Sequence, residues 1–354
     1  MVKSSENIIV GISIGDLNGI GSEVILKTFE DARMLEFCTP VIFGNVRNLS
    51  FVKKTFESTS VLHGIDSLDQ IVAGKINVLN VWKENVEIKF GVNDENSGKY
   101  AIRSFTTAVE ALKTEKIDVL VTAPINKYNI QSEDFAFPGH TDYLNQELEG
   151  DALMFMINEN LRVGLLTDHV PVSEVASHLN EQLIRKKIET VKMSLIKDFS
   201  INKPKIAVLG LNPHAGDGGV IGKEDDNLLK PIIQKMFENG TMVFGPYPAD
   251  GFFGNAQYEK FDAVIAAYHD QGLVPFKTLS FGNGVNYTAG LNNIRTSPDH
   301  GTAFDIAGKG IADYNSFKEA VYLAIDIHQS RINYKQISGN PLKIKEKHLE
   351  SKKG

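Results

Sequence analysis

The chain has 354 residues, 42% of them hydrophobic, enough for one large or two medium lobes each with its own core. Lys and Arg total 37 against 44 Asp and Glu, and the net charge of −7 disfavours nucleic-acid phosphates or an anionic membrane as the main partner. The single Cys38 excludes an intramolecular disulfide and a cysteine-rich zinc knuckle, and suits a reducing compartment.

The first apolar run, 8–14, is halted by Gly15-Asp16 and lacks the length and flanks of a signal peptide or membrane span, so a cytoplasmic location is expected. The turn that follows, Gly15-Asp16-Leu17-Asn18-Gly19-Ile20-Gly21, precedes a helix but does not have Rossmann glycine spacing. It reads as tight packing and a site rim, with Asp16 as a polar contributor. Further strand-length runs fall at 41–43, 77–81, 117–121, 152–157, 162–166, 206–209, 242–244 and 263–267, with helical patterns between most of them, which predicts an α/β fold. Three helical stripes belong to the core: Ala101, Phe105, Ala108, Val109 and Leu112; Ile184, Ile188, Val191 and Leu195; and Leu229, Ile232, Ile233 and Met236. No repeat or flexible linker is visible. The expectation is one catalytic unit over 1–345 whose two lobes, 1–130 with 275–345 and 131–274, share the sheet, followed by a tail, 346–354. Lys343, Lys345, Lys347, Lys352 and Lys353 mark a solvated C-terminal stretch.

Three of the apolar runs lead into a histidine: Asp168-His169, Asn212-Pro213-His214 and Tyr268-His269. Ligands of open parallel α/β sheets bind at the carboxyl ends of strands, so these imidazoles can meet around one divalent cation. Any one of them could equally be a loop residue making a single backbone hydrogen bond. Gly222-Lys223 is not a phosphate loop, since Asp217 stands five residues earlier and Glu224 follows. In Phe137-Pro138-Gly139-His140-Thr141-Asp142 the hydroxyl, the imidazole and the amides of a following helix could hold a phosphate or carboxylate, or Thr141 or Asp142 could simply cap that helix. The stretch 268–310 is either a solvated loop or the densest part of a site, with Lys277 and Arg295 as local cations for a small anionic substrate.

At these residues the chain resembles the 4-hydroxythreonine-4-phosphate dehydrogenases of pyridoxal phosphate biosynthesis, from Gly11 to about Gly310. The motifs that carry the resemblance include Thr122-Ala123-Pro124-Ile125-Asn126-Lys127, Pro138-Gly139-His140-Thr141, His169-Val170-Pro171, Asn212-Pro213-His214-Ala215-Gly216, Pro248-Ala249-Asp250 and Tyr268-His269-Asp270-Gln271-Gly272. The run Arg295-Thr296-Ser297-Pro298-Asp299-His300-Gly301 closes the set, and Asp305-Ile306-Ala307-Gly308-Lys309-Gly310 is similar to the nucleotide loop of isopropylmalate dehydrogenases.

The resemblance implies an isocitrate/isopropylmalate dehydrogenase-like α/β/α two-lobe fold with a mixed, mostly parallel sheet, binding NAD without a Rossmann motif. It implies His169, His214 and His269 as ligands of a divalent metal (Zn, Co or Mg), with the ligand set completed across a homodimer interface. Substrate contacts fall on His140, Thr141, Lys277, Asn286 and Arg295, and cofactor contacts on Asp299, His300, Gly301 and Asp305. The implied reaction oxidises 4-phosphohydroxy-L-threonine and decarboxylates it to 3-amino-2-oxopropyl phosphate, on the way to pyridoxine 5′-phosphate. Asp250, and next Lys277, are the candidate general bases. Departures from the family pattern at Leu17, Asn18, Ser22, Asp142, Asp168, Asn292 and Asn293 leave the named ligands intact and keep a phosphorylated threonate or erythronate open as substrate. From other classes, a metallohydrolase using the same imidazoles or a non-catalytic metabolite-binding protein would show no nicotinamide absorbance change.

Overall fold

The computed structural model of the protein describes residues 7–131, 135–137 and 139–339. Pro138 of the Pro-Gly-His-Thr motif, the lysine-rich stretch from Lys343 and the tail 346–354 lie outside the described residues. One 12-stranded sheet runs through both halves of the chain. Its strands are β1 (Ile8–Ser13), β2 (Cys38–Gly44), β3 (Leu62–Ile65), β4 (Ile76–Asn80), β5 (Val119–Thr122) and β6 (Gly150–Ile157). They continue as β7 (Arg162–Leu165), β8 (Ile206–Leu209), β9 (Val243–Tyr247), β10 (Ala263–Ala266), β11 (Val285–Leu291) and β12 (Arg295–Pro298).

The spatial order is β3-β4-β2-β1-β5-β12-β11-β6-β7-β10-β8-β9. The six strands from β3 to β12 pair in parallel, as do the four from β7 to β9. Between these sets three antiparallel pairings, β12 with β11, β11 with β6 and β6 with β7, reverse direction three times, so the two parallel sets run oppositely. The fold is therefore a mixed, mostly parallel sheet covered by helices. β8 and β10 are continuous apolar runs buried at every position, as strands covered on both faces must be.

The three helical stripes are buried where the sequence places them, in helices Glu95–Lys113 and Glu181–Lys197 and in the segment 225–238. Helix starts have local causes. Asp94 accepts from the Asn96 amide at the head of Glu95–Lys113, and Asn180 accepts from the Leu183 amide at the head of Glu181–Lys197. Gly98 lets the former helix sit directly on the segment after β5, since a Cβ there would lie 2.0 Å from the Asn129 carbonyl oxygen. Gly15, at φ +72, makes the same kind of approach to Pro124. The packing half of the first-turn reading therefore holds, and Asp16 is fully buried with its carboxylate accepting from the Asn18 amide and the Asn129 side chain.

β3, β11 and β12 escape the sequence reading. In β11 and β12 the buried positions include Thr288, Arg295, Thr296 and Ser297, so polarity disguises two central strands as loop. β11 is pinned from below: the Tyr287 hydroxyl donates to Asp198 Oδ2 at 2.7 Å, and Arg331 donates to Asp198 Oδ1 at 2.6 Å and to the Tyr287 oxygen at 2.9 Å. Helix Asn315–Ser338 is thereby tied to helix Glu181–Lys197 through the strand that carries Asn286. Among the described residues, no helix is long and apolar enough to cross a membrane.

Candidate active site

The residues before the three histidines end β7, β8 and β10, which are neighbours in the order β7-β10-β8 and parallel, so their carboxyl ends share one edge. Side chains staple these ends together. Thr167 Oγ1 donates to the Ala267 carbonyl at 2.8 Å, while Gln271 accepts from the Ala267 amide at 2.7 Å and donates to the Gly210 carbonyl at 2.6 Å. A Cβ on Gly272 would come within 2.9 Å of Val163 and Leu165 side chains, so glycine there allows helix His269–Ser280 to lie against β7.

His169 and His269 consequently face one another, with ring centroids 6.1 Å apart. Asp270 Oδ1 lies 2.7 Å from His269 Nδ1, the carboxylate support that orients a metal-binding imidazole. Burial and then the Lys127 charge lower the His169 pKa, which favours the neutral ring a metal ligand requires. His214 is elsewhere: it is exposed, on a loop whose residues 214–218 all have positive φ and whose base is held by Asp225 accepting from the amides of Leu211 and Asn212. Among the described residues of one chain, no three His, Cys, Asp or Glu side chains form a group that could hold an ion. The three-histidine cluster is thus not assembled within a single chain. Two imidazoles meet, and the third is presented outward.

Beside His169 and His269 opens a cavity of about 270 Å³ that straddles the reversal in the sheet. β5 and β12 reach it through Thr122, Arg295 and Ser297, and β6 and β11 through Met154, Met156 and Asn286. Arg295 is 2% exposed and donates to Thr122 Oγ1 at 3.0 and 2.6 Å and to Thr288 Oγ1 at 3.2 Å. No carboxylate pairs with it among the described residues. Burial pushes its pKa down to about 9, still above neutrality, so the guanidinium stays charged and lacks an anion.

The third partner of Arg295 sets a tautomer. Its Nη2 lies 3.0 Å from His140 Nδ1, and a guanidinium can only donate, so Nδ1 accepts and the ring hydrogen sits on Nε2. Burial, followed by the charges of Arg295 and Lys127, holds the His140 pKa well below its ordinary value and keeps the ring neutral. His300 has the opposite arrangement, because Nδ1 donates to the Gly301 carbonyl at 3.0 Å and the lone pair is left on Nε2. His140 Nε2, His300 Nε2 and Asn286 Oδ1 are all enclosed and have no hydrogen-bond partner among the described residues. All three belong to residues lining this one cavity. Enclosed polar atoms of this kind require a partner, which an ordered water or a bound ligand can supply.

Thr141, Lys277, Asp299 and Gly301 also line the cavity, and Lys277 Nζ donates to the Asp299 carbonyl at 3.2 Å. Asp250 and Asp305 do not line it, and both are exposed. Asp16 does not reach it either. The helix after the Pro-Gly-His-Thr motif is His140–Glu147 with Gly139 at the N-cap and no side-chain cap, which corrects the reading of Thr141 or Asp142 as caps. The helix thus begins at His140, ahead of both candidate caps. Lys127, Asp142 and the Met154–Met156 wall were not singled out as site residues in the sequence. Lys127 stood inside a motif, and only alternation along β6 could have indicated the methionines.

The family "Pyridoxal phosphate biosynthetic protein PdxA" matches residues 36–324. The chain is 45% identical over 336 residues to a 4-hydroxythreonine-4-phosphate dehydrogenase of Bacteroides thetaiotaomicron, covering 94% of this chain and 92% of that protein. It is 37% identical over 318 residues to a D-threonate 4-phosphate dehydrogenase of Cupriavidus necator, covering 88% and 95%. A solved 4-hydroxythreonine-4-phosphate dehydrogenase of Klebsiella pneumoniae aligns with a TM-score of 0.79 at 31% identity, over 92% of this chain and 100% of that one.

Proposed function

The chain belongs to the pyridoxal phosphate biosynthetic PdxA family, and from that premise we propose that it is an NAD- and divalent-metal-dependent 4-hydroxythreonine-4-phosphate dehydrogenase, working in the cytoplasm as a homodimer. C3 of 4-phosphohydroxy-L-threonine gives up its hydrogen as hydride to the nicotinamide, and the hydroxyl on it gives up its proton to a base. The resulting 3-keto acid loses CO2, and protonation at C2 gives 3-amino-2-oxopropyl phosphate. When bound, the metal supplies Lewis acidity toward the hydroxyl and the developing enolate, and NAD supplies the hydride acceptor.

The chain's own residues bind and orient. Arg295 provides the fixed positive charge, and His140 Nε2–H adds a neutral donor beside it, so a phosphate or carboxylate is gripped without a second buried cation. Thr141, Lys277 and Asn286 complete the polar lining. Asp299, His300 and Gly301 form the side of the cavity assigned to the cofactor, with the His300 lone pair as an acceptor. His169 and His269 fit one half of a metal ligand set, and the outward His214 fits completion of the set in a second copy. Asp250, also exposed, could act only on a neighbouring copy's cavity, which leaves Lys277 as the proton carrier within the chain's own.

The observation that carries this reading is the anion-seeking cavity, where, among the described residues, a buried guanidinium has no carboxylate and three enclosed polar atoms have no partners. NADH formation from 4-phosphohydroxy-L-threonine, with and without added Zn, Co or Mg after chelation, tests it. No nicotinamide signal with any of these metals would sink the assignment and favour a hydrolase or a binding protein. The relative acting on D-threonate 4-phosphate gives a second reading, a dehydrogenase of phosphorylated threonate or erythronate, and the same assay with those substrates separates the two.

A further inference from the structure

The segment after β5 is fixed on both sides of Lys127. The Asp16 amide donates to the Pro124 carbonyl at 2.9 Å, and the Asn129 side chain donates to the Asp16 carboxylate at 3.3 Å. Asn126 Oδ1 accepts from the amides of Tyr128 and Asn129 at 2.9 and 3.1 Å, and Gln131 Nε2 donates to the carbonyls of Lys127 at 3.1 Å and Phe137 at 2.9 Å. The backbone of Lys127 is thereby set beside the head of helix His140–Glu147, and the stem of its side chain lies over Gly139. Lys127 Cε is 3.8 Å from the point a Cβ on Gly139 would occupy. Both residues line the cavity that holds Arg295 and His140. Burial, then the Arg295 charge, then the Lys127 charge hold the His140 pKa down, so the ammonium acts on the same ring as the guanidinium. Lys127 is exposed, and no carboxylate pairs with it among the described residues.

We infer that Lys127 is a further substrate-binding residue, supplying the second positive charge to a phosphate monoester seated at Arg295 and His140. This rests on the proposed function and deepens it. A phosphate monoester carries about −1.5 to −2 at neutral pH. Arg295 balances one of those charges, and His140, held neutral, offers a donor but no charge. A carboxylate would be matched by Arg295 alone, whereas a phosphate asks for another cation and has peripheral oxygens left to receive it. The other lysine in the lining, Lys277, donates to the Asp299 carbonyl at 3.2 Å. An ammonium on a four-carbon stem carries three rotatable donors, so Lys127 can follow the oxygens that the rigid Arg295 and His140 leave open. Because Lys127 stays in water when the cavity is empty, the second charge is held ready without the desolvation that a second buried cation would bring.

Inorganic phosphate, 4-phosphohydroxy-L-threonine and 4-phospho-D-threonate are titrated by calorimetry into wild type, Lys127→Met and Lys127→Arg, with NAD as the control ligand and steady-state NADH formation alongside. Lys127→Met keeps the stem and removes the charge. It should weaken all three phosphate-bearing ligands by about 10- to 30-fold and raise KM to match, while kcat and NAD binding stay within about threefold. Lys127→Arg should bind all three within about threefold of wild type. Binding by Lys127→Met within about twofold of wild type, an equal loss of NAD affinity, a fall in kcat without a fall in affinity, or a wild type that binds none of the three would each overturn the inference. A wild type that binds the phosphorylated compounds yet forms no NADH would sink the proposed reaction instead, and the binding ratios would still decide the role of Lys127.

Discussion

Arg295 Nη2 and His140 Nδ1 lie 3.0 Å apart, a contact between a fully buried cation and an imidazole that can only accept from it. One hydrogen bond thereby fixes a charge, a tautomer and the direction of an unused donor.

Replacement of Arg295 by Leu should reveal a trade between activity and stability. Loss of the guanidinium is expected to cost on the order of 3 kcal/mol of substrate binding, roughly a hundredfold in KM. The thermal midpoint of the ligand-free protein should rise, because an uncompensated buried charge has gone. Differential scanning calorimetry and steady-state kinetics read the two effects. A fall in both stability and affinity would mean that Arg295 is chiefly structural.

Stability should depend on pH through His140. Its folded pKa lies below the ordinary value of 6.5, so as pH falls through 6.5 the unfolded chain binds a proton that the native ring refuses. The contribution of this ring to native stability is fully present above that pH and is lost progressively as the pH falls below it. His140→Gln keeps an acceptor for Arg295 without titrating, and should show a smaller drop between about pH 7.5 and 5.5 in urea titrations. Identical slopes for the two proteins would contradict the buried neutral imidazole.

If two copies share the metal set, His214→Ala and His269→Ala should each be folded, inactive and unable to retain a stoichiometric divalent ion. Co-expressed chains carrying one substitution each should form mixed assemblies that regain part of the activity and the metal, since one of their two sites keeps every ligand. Metal content by mass spectrometry and NADH formation give the answer. Absence of complementation in verified mixed dimers would place the whole set within one chain.

Gly98→Ala should destabilise the protein by about 1–3 kcal/mol, as the new methyl is driven toward the Asn129 carbonyl. Asn129 donates to the Asp16 carboxylate, so chemical shifts of the first turn should move with the substitution. Chemical denaturation within about 0.5 kcal/mol of wild type would show that the helix can step aside.

Much of the architecture was written as apolar alternation. β1, β8 and β10 and the three helix stripes could be read because burial demanded uninterrupted hydrophobic residues on the buried faces. The centre of the sheet was not legible, for Thr288, Arg295, Thr296 and Ser297 are buried polar residues satisfied by neighbouring side chains or backbone carbonyls in place of water. Among the candidate site residues, Arg295, His140 and the histidines after β7 and β10 gather at one place. His214 and Asp250 stand apart for a reason no single sequence displays, namely that strand ends determine an edge but not the reach of a loop leaving it. The orphaned nitrogens of His140 and His300 could be recognised only once their Nδ1 partners were located.

The sheet's reversal has a bearing on how this pocket can be retuned. β12, β11, β6 and β7 join the two parallel sets by direct strand pairing, with one register shift between Ala289 and Leu291 of β11, so the mouth is spanned by sheet and its width follows the twist of the strands. Accommodating a bulkier or slimmer metabolite therefore falls to wall side chains, above all the pliable thioethers of Met154 and Met156, which can be exchanged without disturbing a single backbone bond.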